Sequence, residues 1–224
     1  MKKKKKGNLI WRVLKGIIAV YLLLILGNLA VEFYSSLGIA HRIKPSDEWN
    51  LMVVNRWNKL PEDYEVELVE LFNGKEVDER IYPYLQEMFD AAREEGIYPI
   101  VREGYRTEAE QQAMFDEKVQ VCRNEGYSRA RAERTAKEWV ALPGTSEHQL
   151  GIAVDINADK EKCSNEEVYA WLAENAHEYG FILRYPQGKV SITGISYEPW
   201  HYRYVGAEAA KEIYEQGICL EEYD

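Results

Sequence analysis

The chain has 224 residues, 28 basic and 38 acidic, with a formal net charge of −10 at pH 7, and is long enough for one domain with a sizeable core. Its first fifteen residues hold seven of the basic groups, leaving 21 against 38 acidic ones beyond, a net −17. Such an acidic body argues against a nucleic-acid partner. Three widely spaced cysteines, Cys122, Cys163 and Cys219, argue against a disulfide framework or a cysteine-rich metal knuckle, and leave one disulfide open.

Residues 1–15 read as a basic cytoplasmic tail, with Lys2 to Lys6, Arg12 and Lys15 and no acid before Glu32. Residues 16–31 are uncharged and apolar, a little short of the roughly 20 residues of a spanning helix. Snorkelling of Arg12 and Lys15 and an interfacial Trp11 extend the span. The positive flank stays inside, so all that follows Glu32 is expected outside the cytoplasm, anchored to the cell membrane by a single pass. A cleaved signal peptide is the competing reading, weakened by the lack of a small-x-small site after the apolar run. Residues 32–49, broken by Pro45, read as a juxtamembrane stalk, and 50–224 as the folded domain.

Within that domain, Leu51 to Leu71 suggests extended chain, and Asn73-Gly74 a tight turn. Ile81 to Glu95 carries Leu85, Met88, Phe89 and Ala92 at helical spacing and stops at Gly96. Ile97 to Val101 predicts a short buried strand that delivers Gly104-Tyr105-Arg106. Thr107 with Glu110 forms a capping box for a helix through Gln111 and Met114. Arg106 thus lies between a strand and a helix, where its forked donor can reach into a cleft and hold a carboxylate or a developing oxyanion. Cys122 to Trp139 is charged and helical, an insertion expected to frame the cleft. Glu166 to Tyr179 predicts a helix capped near Ser164 or Asn165 and ended by Gly180, and Ala207 to Gln216 a closing helix.

The chemistry concentrates in two places. After the Pro143-Gly144-Thr145-Ser146 turn comes His148, followed by a strand-like alternation from Gly151 to Asn157. Ile152, Val154 and Ile156 enter the core, and Gly151, Ala153, Asp155 and Asn157 take the opposite face. That second face is lined with small residues up to Asp155, so a metal and a substrate backbone can approach it. Trp200 to Val205 forms a second strand that begins after Pro199, with Tyr202 and Tyr204 directed away from His201. Glu198 stands at its mouth, near His201 but separated by the rigid proline. It is better placed to take a proton from water than to hold the metal. Two imidazoles, one carboxylate and a spare carboxylate make up a catalytic zinc site with one open position. His41, beside the membrane, and His177, in a helical context, read as structural or solvent-facing.

The pattern Ser146-x-His148-x-x-Gly151-x-Ala153-x-Asp155, answered by Glu198-x-Trp200-His201, resembles the VanY-type D-alanyl-D-alanine carboxypeptidases. These belong to the zinc peptidase superfamily of lysostaphin, D-Ala-D-Ala metallopeptidases and hedgehog proteins. The resemblance extends to Gly104-Tyr105-Arg106-Thr107, Gln111, Tyr179-Gly180-Phe181 and Arg203-Tyr204-Val205-Gly206. It spans about residue 50 to the C-terminus, with no departure at the metal positions. It implies one Zn2+ per chain held by His148, Asp155 and His201, with Glu198 as catalytic base. It also implies that Arg106 faces a peptidoglycan stem peptide, with Gln111 and Ser146 as helpers.

The fold expected is α+β: a small antiparallel sheet with helices on one side and the zinc on its open face. The function expected is removal of the C-terminal D-Ala from stem peptides. An L,D-carboxypeptidase acting on the tetrapeptide shares these motifs. A non-catalytic wall-binding module of the same fold would have no need of Glu198. A non-haem iron oxygenase could use two histidines and a carboxylate, but it too leaves Glu198 without a purpose.

Overall fold

The computed structural model describes residues 48–223. The expected tail, the anchor at 16–31 and nearly all of the stalk lie outside these residues. Among the described residues no helix is long and apolar enough to cross a membrane.

Two short strands, β1 (Leu68–Glu70) and β2 (Glu76–Asp78), pair antiparallel across the Asn73-Gly74 turn. The long extended segment expected upstream of them is mostly irregular. The side-chain oxygen of Asn55 accepts from the backbone of Trp57 and Asn58 and folds the chain into a local turn instead.

Helix α1 (Tyr82–Glu94) buries Leu85, Met88, Phe89 and Ala92, the stripe that its spacing implies. It closes in a Schellman arrangement, with Gly96 N–H on the Arg93 carbonyl and Ile97 N–H on the Ala92 carbonyl. Ile97 is thereby spent on the helix end, and strand β3 runs Pro99–Glu103, two residues later than the sequence suggests. Helix α2 (Glu108–Asn124) starts at the Thr107 cap, with both bonds of the Thr107–Glu110 box formed. Helix α3 (Arg129–Ala136) packs against α2.

A 3-10 turn at Glu147–Leu150 leads into β4 (Ala153–Ala158). Helix α4 (Asn165–Asn175) is capped by Ser164. It tightens to a 3-10 turn over Ala176–Tyr179 rather than running through, where the Asn175 side chain bonds back to the Trp171 carbonyl. Then follow β5 (Phe181–Leu183), a single turn α5 (Val190–Thr193), β6 (His201–Tyr204) and α6 (Ala207–Gln216).

The main sheet has the order β3-β4-β6-β5 and is antiparallel throughout. One face carries Val154, Ile156, Phe181, Tyr202 and Tyr204 into a core shared with α1 and α4. Tyr202 and Tyr204 do point away from His201, as alternation requires. The opposite face is less open than expected. Helix α6 packs Ala209, Ala210 and Ile213 against Ile182 and Val205 there. The end of that face bearing Asp155 and His201 opens to a cleft walled by residues of α2 and of the segment after α3. All three cysteines are free thiols, so the one disulfide left open by the sequence is not formed. His177 is half-buried and stacked on Tyr214 at 3.7 Å between ring centroids.

Candidate metal centre

The antiparallel register sets Asp155 of β4 directly opposite His201 of β6. Directly paired residues point to the same face with side chains close enough to share a ligand. Asp155 Oδ1 lies 3.0 Å from His201 Nδ1. The third group arrives from the 3-10 turn. His148 Nε2 stands 3.5 Å from the same Asp155 oxygen, and the two imidazoles meet edge to face at 4.9 Å between centroids. One donor atom from each of His148, Asp155 and His201 falls within 4.8 Å of the others.

Two glycines make this convergence feasible. A Cβ at Gly104 would lie 2.2 Å from the Glu76 carbonyl oxygen, so only glycine lets the chain after β3 pass so close to β2. From there the Gly104 carbonyl accepts the Nδ1–H of His148 at 2.7 Å, which turns the Nε2 lone pair toward Asp155. Gly151, at φ +77°, closes the 3-10 turn in the left-handed region and redirects the chain into β4.

His201 has the opposite polarity. Its Nδ1 faces Asp155, while its Nε2 is buried without a hydrogen-bond partner, 3.6 Å from the equally unpartnered Oε2 of Glu147. Glu147 is fully buried, and its Oε1 accepts from Arg184 Nε at 2.7 Å and Arg203 Nη1 at 3.0 Å. Arg184 is in turn clamped by both carboxylate oxygens of Glu221.

The electrostatics favour a cation between these groups. Burial would raise the Asp155 carboxyl, but His148 and His201 beside it hold it well below the usual carboxylate range. Burial likewise opposes charge on Glu147, yet Arg184 and Arg203 keep it ionised. His201 is pushed up to about 9, against burial, by Asp155 and Glu147. His148, where burial dominates, is lowered. Two nitrogens and one oxygen, with the outer ring nitrogen of His148 already held by the Gly104 carbonyl, form a donor set suited to zinc. The residues present therefore fit the metal.

Around these groups lies a cleft of about 170 Å³ lined by Arg106, Gln111, Ser146, Glu198, Trp200 and Trp139, among others. Glu198 Oε2 is 3.9 Å from His201 Nδ1, farther than Asp155. Burial raises its carboxyl to about 7 despite the opposing influence of His201. The guanidinium of Arg106 is buried and donates to Gln111 Oε1 at 2.7 Å, while Gln111 Nε2 donates to the Ala141 carbonyl. Gln111 thus orients Arg106, a relation that their spacing in sequence does not state. Ser146 is buried in the cleft wall and makes no side-chain bond to the turn that follows it.

The candidate site residues Arg106, Gln111, Ser146, His148, Asp155, Glu198 and His201 all line this cleft, whereas His177 packs against Tyr214. Sequence reasoning passed over Glu147, although it stands inside the first motif, and over Tyr185, whose ring lies 4.7 Å from that of His201. A glutamate beside a histidine in a loop looks solvated until Arg184 and Arg203 are folded against it. Nothing in the sequence marks Tyr185.

Comparison with known proteins bears on the whole domain. The family model of VanY, D-alanyl-D-alanine carboxypeptidase, matches residues 74–207. A D-alanyl-D-alanine carboxypeptidase of Enterococcus faecalis (strain ATCC 700802 / V583) is 57% identical over 189 residues, 84% of this chain and 70% of that protein. A mutant of the vancomycin resistance D,D-pentapeptidase VanY from a VanB-type resistance cassette, in complex with Zn(II), superposes with a TM-score of 0.78 at 60% identity. It covers 79% of this chain and 99% of its own. VanYB in complex with D-alanine-D-alanine gives 0.77 at 59% identity, over 78% of this chain and 97% of its own. The chain belongs to the VanY family of D-alanyl-D-alanine carboxypeptidases.

Proposed function

We propose that this protein is a zinc-dependent D-alanyl-D-alanine carboxypeptidase that removes the terminal D-Ala from peptidoglycan stem peptides. The observation that carries the reading is the cross-strand pair Asp155–His201, completed by His148, with Glu198 and Arg106 lining the same cleft. His148 Nε2, Asp155 Oδ1 and His201 Nδ1 are the atoms that would hold the metal. Zinc, when bound, supplies Lewis acidity toward the scissile carbonyl and makes water acidic enough to deprotonate near neutral pH.

The protein's own groups do the rest. Glu198, with its carboxyl near 7, takes the proton of the attacking water and returns it to the leaving amine, a role for which a pKa close to the working pH is best. Arg106, held by Gln111, receives the free C-terminal carboxylate of the peptide by charge-assisted bonds. Ser146, in the cleft wall, offers a hydroxyl to the peptide backbone. The modest cleft volume favours a small terminal residue. The high identity to D-Ala-D-Ala enzymes, one solved with D-alanine-D-alanine, favours D,D- over L,D-cleavage.

Residues 16–31 serve in this reading as a membrane anchor, with the enzyme outside the cytoplasm. The support is the uncharged run behind a basic tail. Protease treatment of intact protoplasts should digest the domain, and alkaline carbonate should fail to extract the full chain. Incubating the purified protein with stem pentapeptide and tetrapeptide tests the chemistry. Mass spectrometry should show loss of one D-Ala from the pentapeptide, removed by chelation and restored by zinc. Cleavage of the tetrapeptide alone would reassign the enzyme as an L,D-carboxypeptidase.

A further inference from the structure

His201 presents a problem of hydrogen bonding that the metal does not solve. Its Nδ1 faces Asp155, so in a neutral ring that binds a cation through Nδ1, the proton must sit on Nε2. That nitrogen is buried, with no water-accessible surface and no partner within hydrogen-bond range. A buried donor without an acceptor costs about 1–3 kcal/mol, so an acceptor ought to be at hand. One stands nearby: Glu147 Oε2, 3.6 Å away, is also buried and also unpartnered. These two orphaned atoms are complementary, and a shift of about half an ångström joins them.

The rest of Glu147 shows that its position is built rather than incidental. Its other oxygen accepts from Arg184 and Arg203, both fully buried. Arg203 is held further by the carbonyls of Asn50 and Met52. Arg184 is gripped by Glu221 in the C-terminal 3-10 turn Leu220–Glu222, and Glu221 also accepts from Asn55. Two guanidiniums and two carboxylates balance in charge. Two buried arginines, each anchored in turn by other segments of the chain, therefore converge on one carboxylate whose other oxygen lies 3.6 Å from His201 Nε2.

We infer that Glu147 is a positioning residue that holds His201 in the Nε2–H tautomer and so sets the affinity of the zinc site, with Arg184 and Glu221 fixing Glu147 in turn. The inference rests on the zinc reading above. Groups that orient a metal-binding imidazole in this way typically change metal affinity or activity by 10–100-fold when replaced.

The test uses the full-length chain in detergent. Zinc affinity is measured by competition with a chromophoric chelator for wild type and E147Q, with circular dichroism to check the fold. E147Q should bind zinc about 10–100-fold more weakly. At saturating zinc it should retain the wild-type KM for a stem pentapeptide, because Arg106 and the cleft are untouched. E147D, which keeps the charge on a shorter arm, should recover part of the affinity. A folded E147Q with wild-type zinc affinity overturns the role of Glu147 while leaving the carboxypeptidase reading intact. A wild-type protein that binds no zinc removes both. Should E147Q not fold, the wild type itself decides. Long-range nitrogen–proton correlation spectra of the zinc-loaded protein must show His201 protonated at Nε2 and in a hydrogen bond, and protonation at Nδ1 overturns the assignment.

Discussion

Removing the Arg106 guanidinium together with the charge it is expected to meet gives the sharpest test of how the cleft reads its substrate. Arg106 is only 6% exposed. One of its five N–H donors goes to Gln111, and the group shares the cleft with Asp155, Glu198 and His201. A hydrogen bond to a charged partner contributes about 1.5–3 kcal/mol, and each 1.36 kcal/mol is a factor of ten. Arg106→Ala should therefore lose roughly 10- to 150-fold in kcat/KM on a peptide ending in D-Ala. Its backbone N–H, which donates to the His148 carbonyl, survives the substitution, so zinc content should be unchanged. Amidating the peptide C-terminus should cost wild type a comparable factor and cost Arg106→Ala little, because the same contact cannot be lost twice. The assay is mass spectrometry of the released residue at several peptide concentrations, with zinc measured in parallel. If wild type cut the amidated peptide as well as the free acid, the enzyme would be an endopeptidase of the same superfamily. Arg106 would then have to serve the oxyanion or the scaffold.

Other outcomes follow from the same geometry. His148→Ala, Asp155→Ala and His201→Ala should each lose bound zinc along with activity. Glu198→Ala should keep its zinc by elemental analysis and lose about 10²–10⁴-fold in kcat, whereas loss of metal as complete as in His201→Ala would make Glu198 a ligand. In chelated protein, folding holds the Glu198 carboxyl at about 7, above its ordinary 4.5, so the native state binds more protons between those values. Stability should then fall as pH rises from 4.5 to 7, by up to about 3 kcal/mol. Glu198→Gln should remove that portion from urea titrations, and an identical slope in the variant would contradict it. Gly104→Ala forces a Cβ onto the Glu76 carbonyl and should lower the thermal midpoint by an amount equivalent to about 1–3 kcal/mol.

Much of the site was legible in sequence because its determinants are local. The Ile152-Val154-Ile156 alternation sets which face Asp155 takes, and Pro199 limits where the last strand begins. The Thr107–Glu110 box starts α2 just past Arg106 by short-range hydrogen bonds alone. Elements whose ends depend on local competition were read less well. Ile97 was taken by the close of α1, and Asn175 broke the helix that Tyr179 was expected to end.

The sequence by itself marked the candidates for the chemistry, two histidines, two carboxylates and an arginine, and short-range alternation set the facing of the two that lie on strands, Asp155 and His201. Only the tertiary structure decided how they meet. The register that sets Asp155 against His201 depends on strands far apart in the chain, and no periodicity states which residue opposes which. The same holds for the outer contacts. Gly104 turns its carbonyl to His148 because β2 and β3 pass almost in contact. Glu147 becomes a buried anion beside His201 because Arg184, Arg203 and Glu221 are folded in around it. A charge buried this deeply is tolerable only when paired, and its partners exist only once the chain has closed.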